Sequence, residues 1–345
     1  MLPDITSATP IAESDAKKLL IIAEGFETRS LSWIEKQINE KLFDDAIICE
    51  YEDARVSKAR EMREEVRKRT KCIPRTMKYN RFTPTAFERE FQSVLETVND
   101  YDDIYIDITV MSKMLIMILF NKLKVCNKAI HIIYTEPESW SPTKEQYESA
   151  MSARNQGTAI CLSSVGVGDI VKTPALSSIV MQNEPCVLIA FLSFNEQLVN
   201  MLIDEINPEK VVFINKGCTS TSWREEAIEK IHEAIIKKYH VKKDKELLKY
   251  ELCDYKGVFE KIAEIYRYNW INNRLIISPT GYKLHAFSCA LAKICCPDIH
   301  VEYPTPESYL FDGYSSDIIK FIHEIVFPNF RDDMTRLANI YKLNG

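Results

Sequence analysis

The sequence lacks the features that identify exported and membrane-spanning proteins. No uncharged run approaches the ~20 residues needed to cross a bilayer, and the opening MLPDITSATPIAESDAKK has no basic stretch followed by an apolar one. Ten cysteines are scattered over 345 residues, and Cys49, Cys161 and Cys186 lie in apolar runs, where cysteine acts as a small hydrophobe. We therefore expect a cytoplasmic protein without disulfides or membrane contact.

Signatures of several enzyme classes are also missing. The chain contains no Gly-x4-Gly-Lys-Ser/Thr loop, Cys-x-x-Cys pair, His-Glu-x-x-His or Gly-x-Ser-x-Gly. Gly166 and Gly168 lack the third glycine of a dinucleotide fingerprint, so hydride transfer is not expected. His131 and His300 lie inside apolar runs at matched positions, which is more typical of core residues than of metal ligands. No metal ion or other cofactor is predicted.

The charge of the chain is unevenly distributed. A net charge of −6 disfavours nucleic-acid binding over the whole surface. Between Arg55 and Arg81, however, eleven Lys and Arg stand against three Glu, and a second basic cluster runs from Lys237 to Lys249. These segments are either anion-facing surfaces, with nucleic acid a partner for 55–81, or solvated helix faces.

Internal repetition is the most informative feature of the sequence. Three pairs of segments align in the same order at an offset close to 169 residues: 130–140 with 299–309, 19–26 with 187–194, and 104–109 with 275–280. Three collinear matches predict a duplicated unit.

Each copy alternates short apolar runs with amphipathic segments, including one over 30–42 in the first copy. This pattern predicts an α/β fold of two tandem Rossmann-like units, each a doubly wound parallel sheet, related by internal duplication. The expected boundaries are 15–140 for the first unit, 141–182 for a connecting segment, 183–312 for the second unit and 313–345 for a helical tail.

The first candidate site follows the first strand. In doubly wound sheets, ligands bind beyond the carboxyl ends of the strands, near the point where the strand order reverses. Here Gly25 lies in a turn before a predicted helix, whose amides together with Arg29 would hold an anion. The alternative is a tight turn with a surface arginine. The matching segment 193–197 has neither residue.

A second pair of candidate loops ends the fourth strand of each copy. Hydroxyls, a glycine and a lysine at a helix start suit a phosphate group. The alternative is that the hydroxyls cap helices while the lysines extend to solvent. The residues are Thr109, Ser112 and Lys113 in the first copy and Thr280, Gly281 and Lys283 in the second.

The repeated element Tyr-x-x-Pro-Glu-Ser-aromatic follows the fifth strand of each copy and contains Tyr134 and Tyr303. These tyrosines would either stack on a base or sugar, or form a turn that packs the two units together.

The segment Asp107-x-Thr109-x-x-x-Lys113 resembles the strand-end motif Asp/Asn-x-Ser/Thr-x-x-x-Arg/Lys of CARF-type domains. Two fused units are also similar to the pseudo-dimers found among CARF and SAVED proteins. The second copy is one residue shorter between its threonine and lysine. The resemblance implies a Rossmann-like sensor of cyclic oligonucleotides in prokaryotic antiviral defence, with the ligand lying across a pseudo-twofold axis.

Three functions are therefore expected as alternatives. The first is binding of a nucleotide or other phosphorylated small molecule between the two halves, with signalling to a protein effector. The second is a transferase or glycosidic-bond hydrolase with one active half, in which Asp107, Glu27 or Glu138 performs acid–base chemistry and Lys113 and Arg29 bind phosphate. An interaction scaffold without a ligand is the third alternative.

Overall fold

The computed structural model describes residues 1–52, 59–154, 162, 164–217, 222–310 and 315–341. Most of the apolar runs form strands, and most of the amphipathic segments between them form helices. The strands are β1 (Thr6–Ser7), β2 (Lys18–Ala23), β3 (Asp45–Tyr51), β4 (Arg75–Tyr79), β5 (Asp103–Asp107), β6 (Ala129–Pro137), β7 (Ser164–Val165), β8 (Asp169–Val171), β9 (Cys186–Phe191), β10 (Lys210–Lys216), β11 (Leu247–Tyr250), β12 (Arg274–Ser278), β13 (His300–Val301), β14 (Tyr303–Thr305), β15 (Ser308–Tyr309) and β16 (Ile319–Phe327).

The α-helices follow the same chain order: α1 (Ala59–Arg69), α2 (Thr85–Glu90), α3 (Gln92–Thr97), α4 (Lys113–Leu123), α5 (Lys144–Arg154), α6 (Glu196–Ile206), α7 (Ser222–Ile231), α8 (Glu233–Lys238), α9 (Tyr255–Asn269), α10 (Lys283–Cys295) and α11 (Phe330–Ile340). Short 3-10 helices cover Thr28–Ser30, Ile34–Lys36 and Val98–Asp100. Within the described ranges, no helix is both long enough and apolar enough to cross a bilayer.

The chain divides into two compact units whose bounds differ from the predicted ones. The first unit comprises Met1–Trp140 and Ser315–Leu337, and the second comprises Ser141–Tyr314 and Ala338–Gly345. The predicted connecting segment 141–182 thus belongs to the second unit, where it supplies α5, β7 and β8.

The first unit contains a sheet with the order β1-β16-β6-β5-β2-β3-β4. The five strands from β6 to β4 are parallel, and β16 and β1 extend the β6 edge antiparallel. Numbered along the chain, the parallel strands have the order 3-2-1-4-5 of a doubly wound sheet. All residues of β2 are buried, as expected for a strand covered on both faces.

The prediction of a wholly helical C-terminal tail was wrong for its first part. Ile319–Phe327 forms β16, and only Phe330–Ile340 is helical. In β16 the side chains of Ile322, Ile325 and Phe327 are buried, while its backbone pairs with the free edge of β6. Pairing satisfies backbone groups that a solvent-exposed edge would leave open.

The amphipathic segment 30–42 also differs from the helix expected there, since it contains only short 3-10 turns. Trp33 and Ile34 are adjacent and both buried. Gln37 is buried as well, donating its amide to the Trp33 carbonyl (3.1 Å) and accepting the Ile11 N–H (2.9 Å). Burial on several sides replaces the single apolar face of an amphipathic helix.

The second unit contains a parallel sheet with the order β11-β10-β9-β12-β13, which is again 3-2-1-4-5. The register of its two central strands also matches that of the first unit. Lys18 pairs with Asp103 at the start of β2 and β5, and Cys186 pairs with Arg274 at the start of β9 and β12. Thr109 and Thr280 each lie two residues beyond these equivalent strands. Because this strand order is common to many doubly wound sheets, the internal duplication stays a prediction.

Candidate functional site

The two predicted loops of the first unit meet at the reversal point of its sheet. β2 and β5 are neighbours, and the chain proceeds from them toward opposite edges. The loops that follow them therefore flank the position where doubly wound sheets bind ligands. Their approach is close, since a Cβ added at Gly25 would lie 2.7 Å from the Cβ of Val110. Glycine at this position is required by contact between the loops.

Arg29 is buried rather than presented at the surface. Its Nε and NH2 groups donate to the two oxygens of Glu27 (2.8 and 3.0 Å), and NH1 donates to the Thr135 carbonyl (2.7 Å). Burial alone would lower the pKa of Arg29, but Tyr134 and Glu27 raise it above its usual value. The guanidinium thus stays charged and ties the loop to β6, whereas the sequence predicted an anion ligand or a surface residue.

Asp107 and Thr109 hold the second loop in place. The Asp107 carboxylate accepts the Thr109 N–H (2.9 Å), and the Thr109 hydroxyl accepts the Thr135 N–H (2.9 Å). Both side chains are buried. In this structure the Thr109 hydroxyl therefore faces backbone.

Ser112 caps the N-terminus of α4, which is the helix-capping role that the sequence offered as an alternative to phosphate binding. Its hydroxyl accepts the Leu115 N–H (3.1 Å) and donates to the Tyr79 hydroxyl (3.3 Å), while its N–H donates to the Tyr51 hydroxyl (2.5 Å). Neither tyrosine was predicted from the sequence as a site residue. Tyr51 ends β3, an apolar strand that the sequence predicts, so the strand-end rule would have found it. Tyr79 ends β4, whose sequence RTMKY is mostly polar and gives only a weak strand signal.

Lys113 is the first residue of α4 and is partly buried. Within the described part of the chain, its ammonium forms no hydrogen bond or ion pair. Burial lowers the pKa of Lys113 to about 8, and the Glu27 carboxylate offsets only part of that effect. An anion placed beside this ammonium would favour its charged form.

The equivalent loop of the second unit has similar backbone restraints. Thr280 donates its hydroxyl to the Phe191 carbonyl. A Cβ added at Gly281 would lie 2.6 Å from Cδ1 of Phe191, so this loop also packs closely. Lys283 begins α10 and is partly buried. Thr280 is thus tied to the neighbouring strand, as Thr109 is tied to β6.

Tyr134 and Tyr303 lie in the interior of their own units, at 3% and 4% exposure. The guanidinium of Arg29 lies 5.9 Å from the Tyr134 ring centre, and burial raises the pKa of Tyr134 to about 12. Tyr303 pairs with Val171 between β14 and β8. Stacking on a base needs an exposed ring face, which neither tyrosine offers in this structure.

The carboxylates considered for acid–base chemistry lie in different environments. Both oxygens of Glu27 bind Arg29, and Oε2 also accepts from the Ser315 hydroxyl (2.5 Å). Asp107 is buried against its own loop, and Glu138 is exposed after β6. Glu27 and Asp107 therefore serve to position the loops.

Many cations of the basic segment 55–81 are paired with carboxylates in its described part, which omits 55–58. The pairs are Arg60–Glu64, Arg63–Glu24, Arg63–Glu50, Lys68–Glu65, Arg69–Glu65, Lys71–Asp44 and Arg75–Glu90. In the second basic cluster, Lys249 pairs with Glu225 and Glu229. Pairing reduces the positive potential that either segment offers to nucleic acid.

No protein-family model and no curated protein matches the chain. A solved structure described as the crystal structure of a GsuK mutant is similar over 98% of this chain and 72% of its own, with 11% identity and a TM-score of 0.21. A TM-score this low carries no argument about fold or function.

Proposed function

We propose that the first unit binds a phosphate-bearing small molecule, with nucleotides as the expected class, at the carboxyl edge of its sheet beside the start of α4. The proposal rests on Lys113, which lies where the strand order of the sheet reverses. Its ammonium group is partly buried, has a lowered pKa and has no ion-pair partner in the described ranges. A bound anion would supply the missing counter-charge.

The helix that Lys113 begins adds to the attraction for an anion. α4 has 11 residues and no acidic residue in its first turn. The N-terminal end of a helix carries a positive partial charge and free amide donors. The Glu27–Arg29 pair and the Asp107–Thr109 turn hold the two flanking loops, so the cation is presented by a rigid frame.

The resemblance to CARF-type domains narrows the expected ligand to a cyclic oligonucleotide and extends the proposal to antiviral defence, with a protein effector as the receiver of the signal. The alternative of a transferase or glycosidic-bond hydrolase has less support, because both oxygens of Glu27 are held by Arg29.

Titration calorimetry with inorganic phosphate, mononucleotides and cyclic oligonucleotides tests the proposal. Because hydrogen bonds to charged groups contribute roughly 1.5–3 kcal/mol, Lys113→Ala should weaken binding about 10- to 100-fold. Lys124→Ala is the matched control, since Lys124 is exposed at the other end of α4. A folded Lys113→Ala protein with unchanged affinity would refute the site.

Lys283→Ala tests whether the second unit contributes to binding. Because the proposed site belongs to the first unit, the affinity should be unchanged in this variant, and a loss similar to that of Lys113→Ala would show that Lys283 also binds the ligand. Melting curves for each variant establish that a lost affinity does not reflect unfolding.

A further inference from the structure

A polar cavity lies in the second unit, at the amino edge of its sheet and opposite the Thr280 loop. Its volume is about 630 Å³, within the range of small-molecule sites. Cys186, Arg274 and Ile276, from the starts of β9 and β12, line its base. This cavity shares no residue with the site proposed above and concerns a different ligand.

Glu302 is the most deeply buried charge that lines the cavity, at 4% exposure. Its Oε1 lies 3.4 Å from the Lys172 ammonium and 3.2 Å from Nε2 of His300. Burial acts to raise the pKa of Glu302, but His300 and Lys172 hold it below its usual value, so the group is a carboxylate. Its Oε2 is buried and has no hydrogen-bond partner among the residues that the structure describes.

Arg274 provides the complementary group in the same cavity. Its NH2 donates to the Ser178 carbonyl (3.3 Å), while its buried Nε has no acceptor in the described part of the chain. Leaving a buried donor or acceptor unsatisfied costs roughly 1–3 kcal/mol. Two side chains of one cavity thus carry an unused acceptor and an unused donor.

The charge of the lining favours a cation overall. Lys172 and Arg274 are outnumbered by the carboxylates of Glu184, Glu205, Glu209 and Glu302. α6 also ends at this cavity, and its last turn contains no basic residue. The carbonyl end of a helix adds negative partial charge.

We propose that this cavity binds a small molecule carrying a primary ammonium group, which donates to Glu302. Two sources share this chemistry. A diamine supplies only ammonium groups, whereas an α-amino acid also supplies a carboxylate that accepts from Nε of Arg274.

Calorimetry of the full chain at low salt with putrescine, L-lysine and succinate tests the inference. We expect both amines to bind with one-to-one stoichiometry and succinate not to bind. Glu302→Gln, which removes the charge and nearly keeps the shape, should weaken amine binding about 10- to 100-fold. Glu226→Gln, an exposed change outside the cavity, should leave amine binding unchanged.

The same measurements distinguish the two sources of the ammonium group. If L-lysine binds more tightly than putrescine, and this preference disappears in Arg274→Gln, the ligand belongs to the amino acids. Equal affinities for L-lysine and putrescine identify simple amines.

Failure of both amines to bind the folded native protein, or tighter binding of succinate, would overturn the inference. If Glu302→Gln does not fold, the exposed pair Glu184→Gln and Glu209→Gln replaces it, because these rim carboxylates can be neutralised without disturbing the buried network. Unchanged amine affinity in that double variant would also refute the proposal.

Discussion

Glu27 and Arg29 form a two-point ion pair that is almost closed to solvent, with Nε–Oε2 and NH2–Oε1 separations of 2.8 and 3.0 Å. Arg29 also donates to the Thr135 carbonyl of β6, and Glu27 accepts from the Ser315 hydroxyl, so the pair connects the loop after β2 to both residues. Ser315 in turn pairs with Trp140 through backbone groups. The carboxylate of this pair is also the charge that acts on Lys113. The Glu27 carboxylate thus offsets part of the effect that burial has on the pKa of Lys113.

Arg29→Met should destabilise the protein by about 3–5 kcal/mol, because it leaves the Glu27 carboxylate buried without its counter-charge. Chemical denaturation of each variant measures the effect. Arg29→Met combined with Glu27→Leu should recover most of the loss. Arg60→Met, which breaks the exposed pair with Glu64, is the control and should cost at most about 1 kcal/mol. A double variant as unstable as Arg29→Met would contradict this account.

Lys113→Met should stabilise the protein most at neutral pH. The pKa of Lys113 falls from 10.5 to about 8 on folding, so below pH 8 the native state holds a charge in a poorly solvated position. Between about pH 8 and 10.5 the native state releases this proton before the unfolded state does, and the cost declines as pH rises. The advantage of the methionine variant should therefore shrink over that window. Denaturation of both proteins at several pH values measures it, and a pH-independent difference would argue against the lowered pKa.

Gly25→Ala should cost about 1–3 kcal/mol, since the added methyl group would overlap the Cβ of Val110 at 2.7 Å. The contacting atom is next to the backbone, so no side-chain rotation removes the overlap. A double-mutant cycle with Val110→Gly tests the cause, because the combined loss should be smaller than the sum of the single losses. Strict additivity would place the damage elsewhere.

His285 should make the second unit sensitive to acid. Burial lowers the pKa of His285 to about 4, and the hydrogen bond to the Glu251 carbonyl (2.8 Å) offsets only part of this. The unfolded state therefore takes up a proton near pH 6.5 that the native state refuses until about pH 4, so stability falls as pH decreases through this window. Since one unit of pKa difference corresponds to 1.36 kcal/mol, the free energy of unfolding should fall by about 3 kcal/mol over this window.

His285→Gln should remove that part of the pH dependence, as measured by denaturation between about pH 7 and 4. His240→Gln is the control, because His240 is exposed in the same unit. An equal acid response in wild type and His285→Gln would mean that other groups dominate.

The sequence by itself determined most of the parallel strands and the position of the candidate loops, but it predicted neither β4 nor the antiparallel β16. Apolar runs such as LLIIA and IYIDI are too uniformly hydrophobic to be anything but buried elements, and they became β2 and β5. The order of strands and helices then predicted a doubly wound sheet, whose geometry assigns Gly25 and Lys113 to the carboxyl edge. These conclusions depend on local pattern, so one sequence is enough to reach them.

Only the tertiary structure decided which charges are buried and which remain open. Arg29 is buried because its partners include Thr135 and, through Glu27, Ser315, which are distant in the chain. Ile319–Phe327 is a strand because β6 has an edge available for it. Glu302 and Lys172 meet only when β14 pairs with β8. The free energy of each charge depends on neighbours that folding brings together, and local sequence pattern does not contain that information.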